Sequence, residues 1–191
     1  LNNGLRKATG EYALFAMGDS VPTPEYLERF VPYLDKNWVL CGVRENVTED
    51  MEHIGWDWRY RSRQHQLGWN FVPIQANQWG RITGNGLLVP LDALKKIGYW
   101  PEKFEGYGCD DNYIALKLFA EGLEFADVPR AVLRHVEHSA QPDNEENVRV
   151  FTKEVEKTLE GLRESLRPQI VCLNFDDFSP ANNNLFFLRK L

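Results

Sequence analysis

The stretch Phe104–Tyr113, FEGYGCDDNY, joins a run of glycines and aromatics to two adjacent carboxylates. Apolar residues follow the carboxylates at helical spacing: Ile114, Ala115, Leu118 and Phe119. Gly122 is placed to end this helix. The pattern predicts a loop that delivers Asp110 and Asp111 to a helix N-terminus, where backbone N–H groups and the helix dipole favour ionised carboxylates.

This pair of aspartates has two interpretations. A carboxylate that follows a flexible, aromatic-lined loop is suited to serve as a general base beside an acceptor of the size of a sugar. Asp is also among the leading N-cap residues, so Asp110 can simply cap the helix. The stretch alone leaves both interpretations open.

Strand and helix patterns alternate along the rest of the chain. Apolar runs predict strands over residues 11–16, 38–43, 86–89, 125–128, 131–135 and 170–175. Helices are predicted over residues 1–9, from Thr23–Pro24 to Leu34, over residues 91–97 and from Val148 to Leu166. Residues 44–69 have no clean period and are predicted to form a long loop or an irregular helix. A polar linker is predicted at 141–147 and a turn at 180–184. The alternation predicts an α/β protein, with helices packed on a sheet.

Three segments occur in a characteristic order. The first is Asn3–Asp19 (NGLRKATGEYALFAMGD), the second is Phe104–Tyr113, and the third is Leu133–His138 (LRHVEH). In this order they resemble an inverting glycosyltransferase of the GT-A fold. The resemblance is to family 2, with a C-terminal half similar to the galactosyltransferase-like members.

The resemblance implies a GT-A-like sheet flanked by helices. It covers roughly residues 1–140, a partial GT-A domain that would carry the metal and acceptor side. In this family about half of the nucleotide-binding domain lies upstream, so we expect this chain to lack the upstream βαβ half. We therefore expect the 191-residue chain alone to bind nucleotide sugars weakly or not at all, and to be inactive by itself. Residues 141–191 would form a C-terminal amphipathic helix and tail that pack on the domain.

The resemblance also implies a divalent metal, Mn²⁺ or Mg²⁺. Asp19 matches the last Asp of the family's Asp-x-Asp motif, and His135 matches the metal histidine of the galactosyltransferase-like members. His138 follows three residues later with a weaker claim. Met17 replaces the first carboxylate of the motif, so the contacts of that carboxylate are in doubt. Without the resemblance, Gly18–Ser20 is more typical of a turn.

The acceptor side follows from the second segment. Asp111 matches the family's catalytic base, which would take the proton of the acceptor hydroxyl. Asp110 would hydrogen-bond a neighbouring hydroxyl, although most relatives have Glu there. Trp100 and Tyr107 would form a wall for the acceptor, whereas we expect core packing for Trp79.

Composition limits the partners and the compartment. The length of 191 residues fits one domain, and the 43% of hydrophobic residues can form a core. A net charge of −6 argues against a nucleic-acid partner, because phosphate binding needs a basic face. The three cysteines are widely spaced and predict no disulfide framework. With no transmembrane run or signal peptide, we expect a cytoplasmic location, either free or at the cytoplasmic face of a membrane.

Three functions remain open. The first is an inverting glycosyltransferase that uses a nucleotide-diphosphate sugar, a saccharide-type acceptor and a divalent metal. The second is a non-catalytic carbohydrate- or partner-binding domain derived from the GT-A fold, which Met17 favours. The third is a metal-dependent hydrolase of sugar phosphates, although no second paired-carboxylate or His-Asp motif supports it.

Overall fold

The computed structural model describes residues 1–74, 76–139, 142 and 144–165. The side chains of residues 76, 77, 79 and 162–165 are outside this description, and so is the packing predicted for Trp79. The strand predicted at 170–175 and the turn predicted at 180–184 also lie outside the described residues. Within them, no helix has the length and apolar character needed to cross a bilayer.

The described part of the chain contains four α-helices, seven strands and short 3-10 helices. The helices are α1 (Asn2–Lys7), α2 (Leu91–Lys96), α3 (Asp110–Ala120) and α4 (Glu145–Ser165). The strands are β1 (Tyr12–Phe15), β2 (Ser20–Pro22), β3 (Trp38–Val47), β4 (His53–Trp56), β5 (Val72–Ile74), β6 (Leu87–Pro90) and β7 (Glu124–Val136). Short 3-10 helices cover Val31–Tyr33, Gln64–Gly68 and Ala76–Arg81.

The described strands form one sheet of seven. β7 runs parallel to β3, and its other edge pairs antiparallel with β5 along its first half and with β2 along its second half. β3 pairs antiparallel with β6 and β4, and β6 pairs antiparallel with β1. The mixed sheet with flanking helices confirms the predicted α/β class.

The two strands predicted at 125–128 and 131–135 are one strand of 13 residues, β7. Its register against β3 shifts between Gly42 and Val43, so that residues 129–131 form an irregularity in the ladder. The extra residues of a bulge are unpaired, so a proline, which has no N–H to donate to the ladder, is tolerated there. The division into two strands was wrong because Pro129 and Arg130 interrupt the apolar run inside a continuous strand.

Apolar side chains pack on both faces of the sheet, since successive strand residues point to opposite faces. One core cluster contains Val39 and Cys41 of β3, and the other contains Leu40. Helices cover the first cluster, and Val155 and Leu159 of α4 belong to it. α4 and α3 therefore belong to the same hydrophobic core, and the helix begins inside the segment predicted as a polar linker.

The helix predicted from Thr23–Pro24 to Leu34 was wrong. This segment consists of turns that end in the 3-10 helix Val31–Tyr33. The Thr23 hydroxyl, expected to cap a helix, instead donates a hydrogen bond to the Val132 carbonyl of β7 at 3.0 Å. Pro32 also lacks the N–H that an α-helix would require there.

Residues 44–69 are more regular than the sequence predicts. β3 continues to Val47, β4 returns antiparallel to it, and a 3-10 helix covers Gln64–Gly68. The prediction of a long loop or irregular helix missed the strands in this segment, because charged residues, some of them buried, hide the apolar period. Asp57 and Arg59 are 0% and 3% exposed, and Arg59 Nε donates to Asp57 Oδ1 at 3.0 Å.

The same charged network reaches β7. Arg59 Nη1 and Arg81 Nη2 each lie 3.8 Å from a carboxylate oxygen of Asp127, which is fully buried. Burial raises the pKa of Asp127, although Arg59 acts to lower it. Because Arg81 ends the 3-10 helix Ala76–Arg81, this network fixes that helix against the sheet.

Candidate metal and acceptor sites

Strand pairing brings Asp19 to the predicted histidines. Asp19 lies in the turn between β1 and β2, and β2 pairs with the end of β7, where Ser20 is opposite His135. The Val136 N–H donates to the Asp19 carbonyl at 2.9 Å. The Asp19 Oδ2 atom then lies 3.4 Å from His135 Nε2 and 3.1 Å from His138 Nε2.

The three groups of this cluster differ in their proton affinity. Burial acts to raise the pKa of Asp19, but hydrogen bonds from Ser20 and His138 outweigh it and lower that pKa. Burial and the charge of Arg44 lower the pKa of His135, which keeps its imidazole neutral. Hydrogen bonds to the Ser139 carbonyl and to Asp19 raise the pKa of the exposed His138.

This arrangement fits a divalent ion. The donor atoms of Asp19, His135 and His138 lie within 4.8 Å of one another. Ligand atoms that are each about 2.2 Å from one ion are separated by about 3 to 4.4 Å, so modest closure would bring all three onto one ion. One carboxylate with two imidazoles suits an ion such as Mn²⁺ better than Mg²⁺, which prefers oxygen ligands.

The aspartate pair opens α3. Asp110 and Asp111 are the first two helical residues, and the N-cap is Cys109, in the left-handed region with φ 69°. The interpretation of Asp110 as the N-cap was therefore wrong. Its Oδ2 atom instead accepts a hydrogen bond from the Trp100 indole N–H at 2.9 Å.

Asp111 is held by backbone donors on both sides. Its Oδ2 atom accepts from the Gly84 N–H at 3.3 Å, and its Oδ1 atom accepts from the Asn112 N–H at 2.8 Å. Burial and the charge of Asp110 nevertheless raise the pKa of Asp111 to about 6. The backbone N–H donors act to lower this pKa, but desolvation and a neighbouring like charge outweigh them.

The two predicted acceptor aromatics have different environments. Trp100 is only 7% exposed and its ring lies 4.8 Å from the ring of Phe15. Tyr107 is 54% exposed. The structure thus gives Trp100 a contact with Asp110 and a place in the core, and leaves the Tyr107 ring in solvent. A wall for the acceptor formed by these two residues stays a prediction.

One loop contacts both sites. The Asn85 side chain donates to Ser20 Oγ at 2.6 Å and accepts from the Met17 N–H at 3.3 Å. Ser20 Oγ in turn donates to Asp19 Oδ1 at 3.0 Å. Because the neighbouring residue Gly84 donates to Asp111, two adjacent residues of one loop contact both the turn of Asp19 and the aspartate pair.

Gly84 also allows close packing in this loop. A Cβ atom at Gly84 would lie 3.0 Å from the Trp100 ring and 3.3 Å from the Met17 methyl group. The sequence singles out neither Asn85 nor Ser20 as a site residue. The one signal that could have indicated Asn85 was its place between two glycines, but this pattern is equally typical of a simple turn.

Comparison with known proteins relates this geometry to a family. The family model of Glycosyl transferase family 2 matches residues 1–86. No curated protein matches the chain. Among solved structures, S. aureus TarS (residues 1–349) in complex with UDP-GlcNAc aligns with a TM-score of 0.54 and 14% identity. That alignment covers 73% of this chain and 38% of TarS.

Two further solved structures align with this chain to a similar extent. GalNAc-T7 with UDP, GalNAc and Mn²⁺ aligns with a TM-score of 0.58 and 13% identity, over 81% of this chain and 33% of that one. Another structure of S. aureus TarS (residues 1–349) aligns with a TM-score of 0.54 and 13% identity, over 86% of this chain and 52% of that one. The chain thus spans about a third to a half of these proteins. It has the fold of a partial GT-A glycosyltransferase domain similar to family 2.

Proposed function

We propose that this chain is part of an inverting, metal-assisted glycosyltransferase. It would move a sugar from a nucleotide-diphosphate donor to a hydroxyl of a saccharide-type acceptor. The observation that carries the proposal is Asp111, a carboxylate with a pKa of about 6 that two backbone N–H groups hold in place. Such a group is ionised at neutral pH and still basic enough to accept a proton.

The roles of the acceptor-side residues follow from their contacts. Asp111 would accept the proton of the attacking hydroxyl. Asp110, oriented by the Trp100 indole, would accept a hydrogen bond from a neighbouring hydroxyl. The exposed ring of Tyr107 would stack on the acceptor sugar.

The metal cluster would serve the donor side. Asp19, His135 and His138 would hold a divalent ion, which when bound supplies a Lewis acid for the charge of the leaving diphosphate. The donor class is supported by the neighbours, since TarS was solved with UDP-GlcNAc and GalNAc-T7 with UDP, GalNAc and Mn²⁺. A cytoplasmic location remains part of the proposal, and the buried free thiol of Cys41 agrees with a reducing compartment.

A non-catalytic domain that binds carbohydrate or a protein partner is the second candidate. Met17, in the place of the first carboxylate of the Asp-x-Asp motif, favours it. The Met17 N–H donates to Asn85, and Met17 is 37% exposed. A partly exposed residue without charge therefore lies where the family has a carboxylate.

A transfer assay on the full-length protein tests both candidates. UDP-sugars and saccharide acceptors are supplied with Mn²⁺ or with EDTA, and NMR gives the anomeric configuration of the product. A product with inverted configuration that forms only with Mn²⁺ supports the proposal. Retention of configuration contradicts the inverting mechanism, and acceptor binding without any transfer supports the second candidate. Hydrolysis of a sugar phosphate without transfer would instead support a hydrolase.

A further inference from the structure

The loop before the aspartate pair has an unusual backbone. Within four residues, Gly106, Gly108 and Cys109 have φ values of 75°, 105° and 69°. A non-glycine residue with positive φ is uncommon and persists where surrounding contacts hold it. Residues 105–108 belong to no helix or strand, so other groups must bind their carbonyls.

One side chain of α4 binds most of these carbonyls. Asn147 is 3% exposed, and its Nδ2 group lies 3.0 Å from the Glu105 carbonyl oxygen, 3.2 Å from that of Tyr107 and 3.1 Å from that of Gly108. Its Oδ1 atom accepts from the Glu105 N–H at 3.2 Å. The amide has two N–H donors and one acceptor oxygen, so this single side chain satisfies groups of both kinds.

The helix that carries Asn147, α4, is itself anchored in the protein. Two turns beyond Asn147, Val155 is 1% exposed in the hydrophobic core, and Glu154 lies 3.0 Å from Lys103 at the start of the loop. Asn144, just before α4, adds a second contact, because its N–H donates to the Tyr107 carbonyl at 3.0 Å. Asn144 and Asn147 thus bind the backbone on both sides of the exposed Tyr107 ring.

We propose that Asn147 is a positioning residue for the acceptor. It holds the backbone of residues 105–108, and this backbone presents the Tyr107 ring and leads directly into Asp110 and Asp111. The inference rests on the proposed function, since the acceptor is what this loop would bind. Asn147 is buried beneath the loop, so it would act through the loop and not by contact with the acceptor.

The chemistry of the amide defines the variants. Asn147→Asp has the same shape but cannot donate to the three carbonyls while it is ionised, and it places a charge against their oxygens. Asn147→Ala removes donors and acceptor together. Val155→Ala is the matched control, because it opens the core under the same helix and leaves the loop contacts of Asn147 in place.

Hydrogen exchange of residues 104–109 and steady-state kinetics are measured on the full-length protein and these variants. We expect the Glu105 amide to exchange at least about tenfold faster in Asn147→Ala, which removes its acceptor. In Asn147→Asp the carboxylate can still accept from this N–H, so the increase at Glu105 should be smaller and the loosening should be seen at the other amides of residues 104–109. We expect the acceptor KM to rise at least about fivefold in both, with donor KM unchanged. Val155→Ala should lower the melting temperature while both loop exchange and acceptor KM stay near wild type.

The outcomes separate the two levels of the proposal. Unchanged exchange of the loop in both Asn147 variants would overturn the positioning role, whatever the activity. Faster exchange with an unchanged acceptor KM would overturn the link to the acceptor. If the wild-type protein transfers no sugar, the proposed function fails, and the exchange data still decide whether Asn147 holds the loop.

Discussion

Asp19 and Asp111 are both partly buried aspartates beside turns, yet the protein moves their pKa values in opposite directions. Burial opposes ionisation of each. At Asp19 the hydrogen bonds from Ser20 and His138 outweigh burial and lower the pKa. At Asp111 the charge of Asp110 adds to burial and raises the pKa to about 6.

The difference shows that the neighbours of each carboxylate, which act against burial at Asp19 and with it at Asp111, decide the direction in which its pKa moves. A carboxylate with a low pKa, placed beside two imidazoles, stays negative and suits a cation. A carboxylate with a pKa near 6 can take up a proton at neutral pH. The two aspartates thus have properties that suit the two different roles proposed for them, and the following experiments test that division.

The largest effect is expected from Asp111→Asn. The amide cannot accept the acceptor's proton, so we expect the transfer rate of the full-length protein to fall at least about a hundredfold. Asn still accepts one backbone hydrogen bond, so the free energy of unfolding at pH 7 should change by less than about 1 kcal/mol. Steady-state kinetics and thermal melts measure both quantities. Loss of stability with normal specific activity would mean that Asp111 is only structural.

Next in size is the effect of His135→Ala on the metal. Removing one of three ligands should weaken Mn²⁺ binding at least about tenfold, measured by calorimetric titration. His138→Ala should have a smaller effect, because His138 is exposed and its raised pKa makes protons compete with the ion. His53→Ala is the control, since His53 pairs with Glu45 outside the cluster. Equal affinity in wild type and His135→Ala would remove His135 from the site.

A smaller effect is expected from Asp110→Asn. Its proposed role is a hydrogen bond to the acceptor, so the acceptor KM should rise about fivefold while kcat changes less. The Trp100 indole can still donate to the remaining oxygen, which keeps the side chain in place. If Asp110→Asn is inactive and Asp111→Asn keeps normal turnover, the roles of the two residues are exchanged.

The smallest effect concerns pH. Asp111 must be ionised to act as a base, so kcat/KM should rise with pH through about 6 and level off above it. Asp110 raises the pKa of Asp111, so Asp110→Asn should move this limb of the profile to lower pH. The comparison is made by normalising each profile to its own plateau. A limb that does not move in Asp110→Asn would show that Asp110 does not tune Asp111.

The parts of the fold that the sequence predicts depend on local patterns. The apolar run that begins at Trp38 specifies β3, and the helical spacing after Asp111 specifies α3. The segment after Thr23 was predicted as a helix because its local cap signal is strong. The Thr23 hydroxyl instead donates a hydrogen bond to the Val132 carbonyl, which is 109 residues away, and no local pattern indicates this contact.

The same division holds at the sites. The cluster of Asp19 with His135 and His138 could be predicted from a family resemblance, and the structure brings the three together. The pKa of Asp111 could not, because it depends on burial and not only on the helix N-terminus. Asn147 was part of a predicted polar linker, and its partners lie 39 to 42 residues earlier in the chain.

The loop that carries Gly84 and Asn85 has a consequence for protein engineering. Since Asn85 supports the turn of Asp19 through Ser20 and Gly84 contacts Asp111, an insertion or deletion here would shift both aspartates at once. A chimera that exchanges the acceptor half between relatives should therefore keep residues 83–86 with the sequence on both sides of them. A crossover between β6 and α3 would separate Gly84 from Asp111 and break this junction.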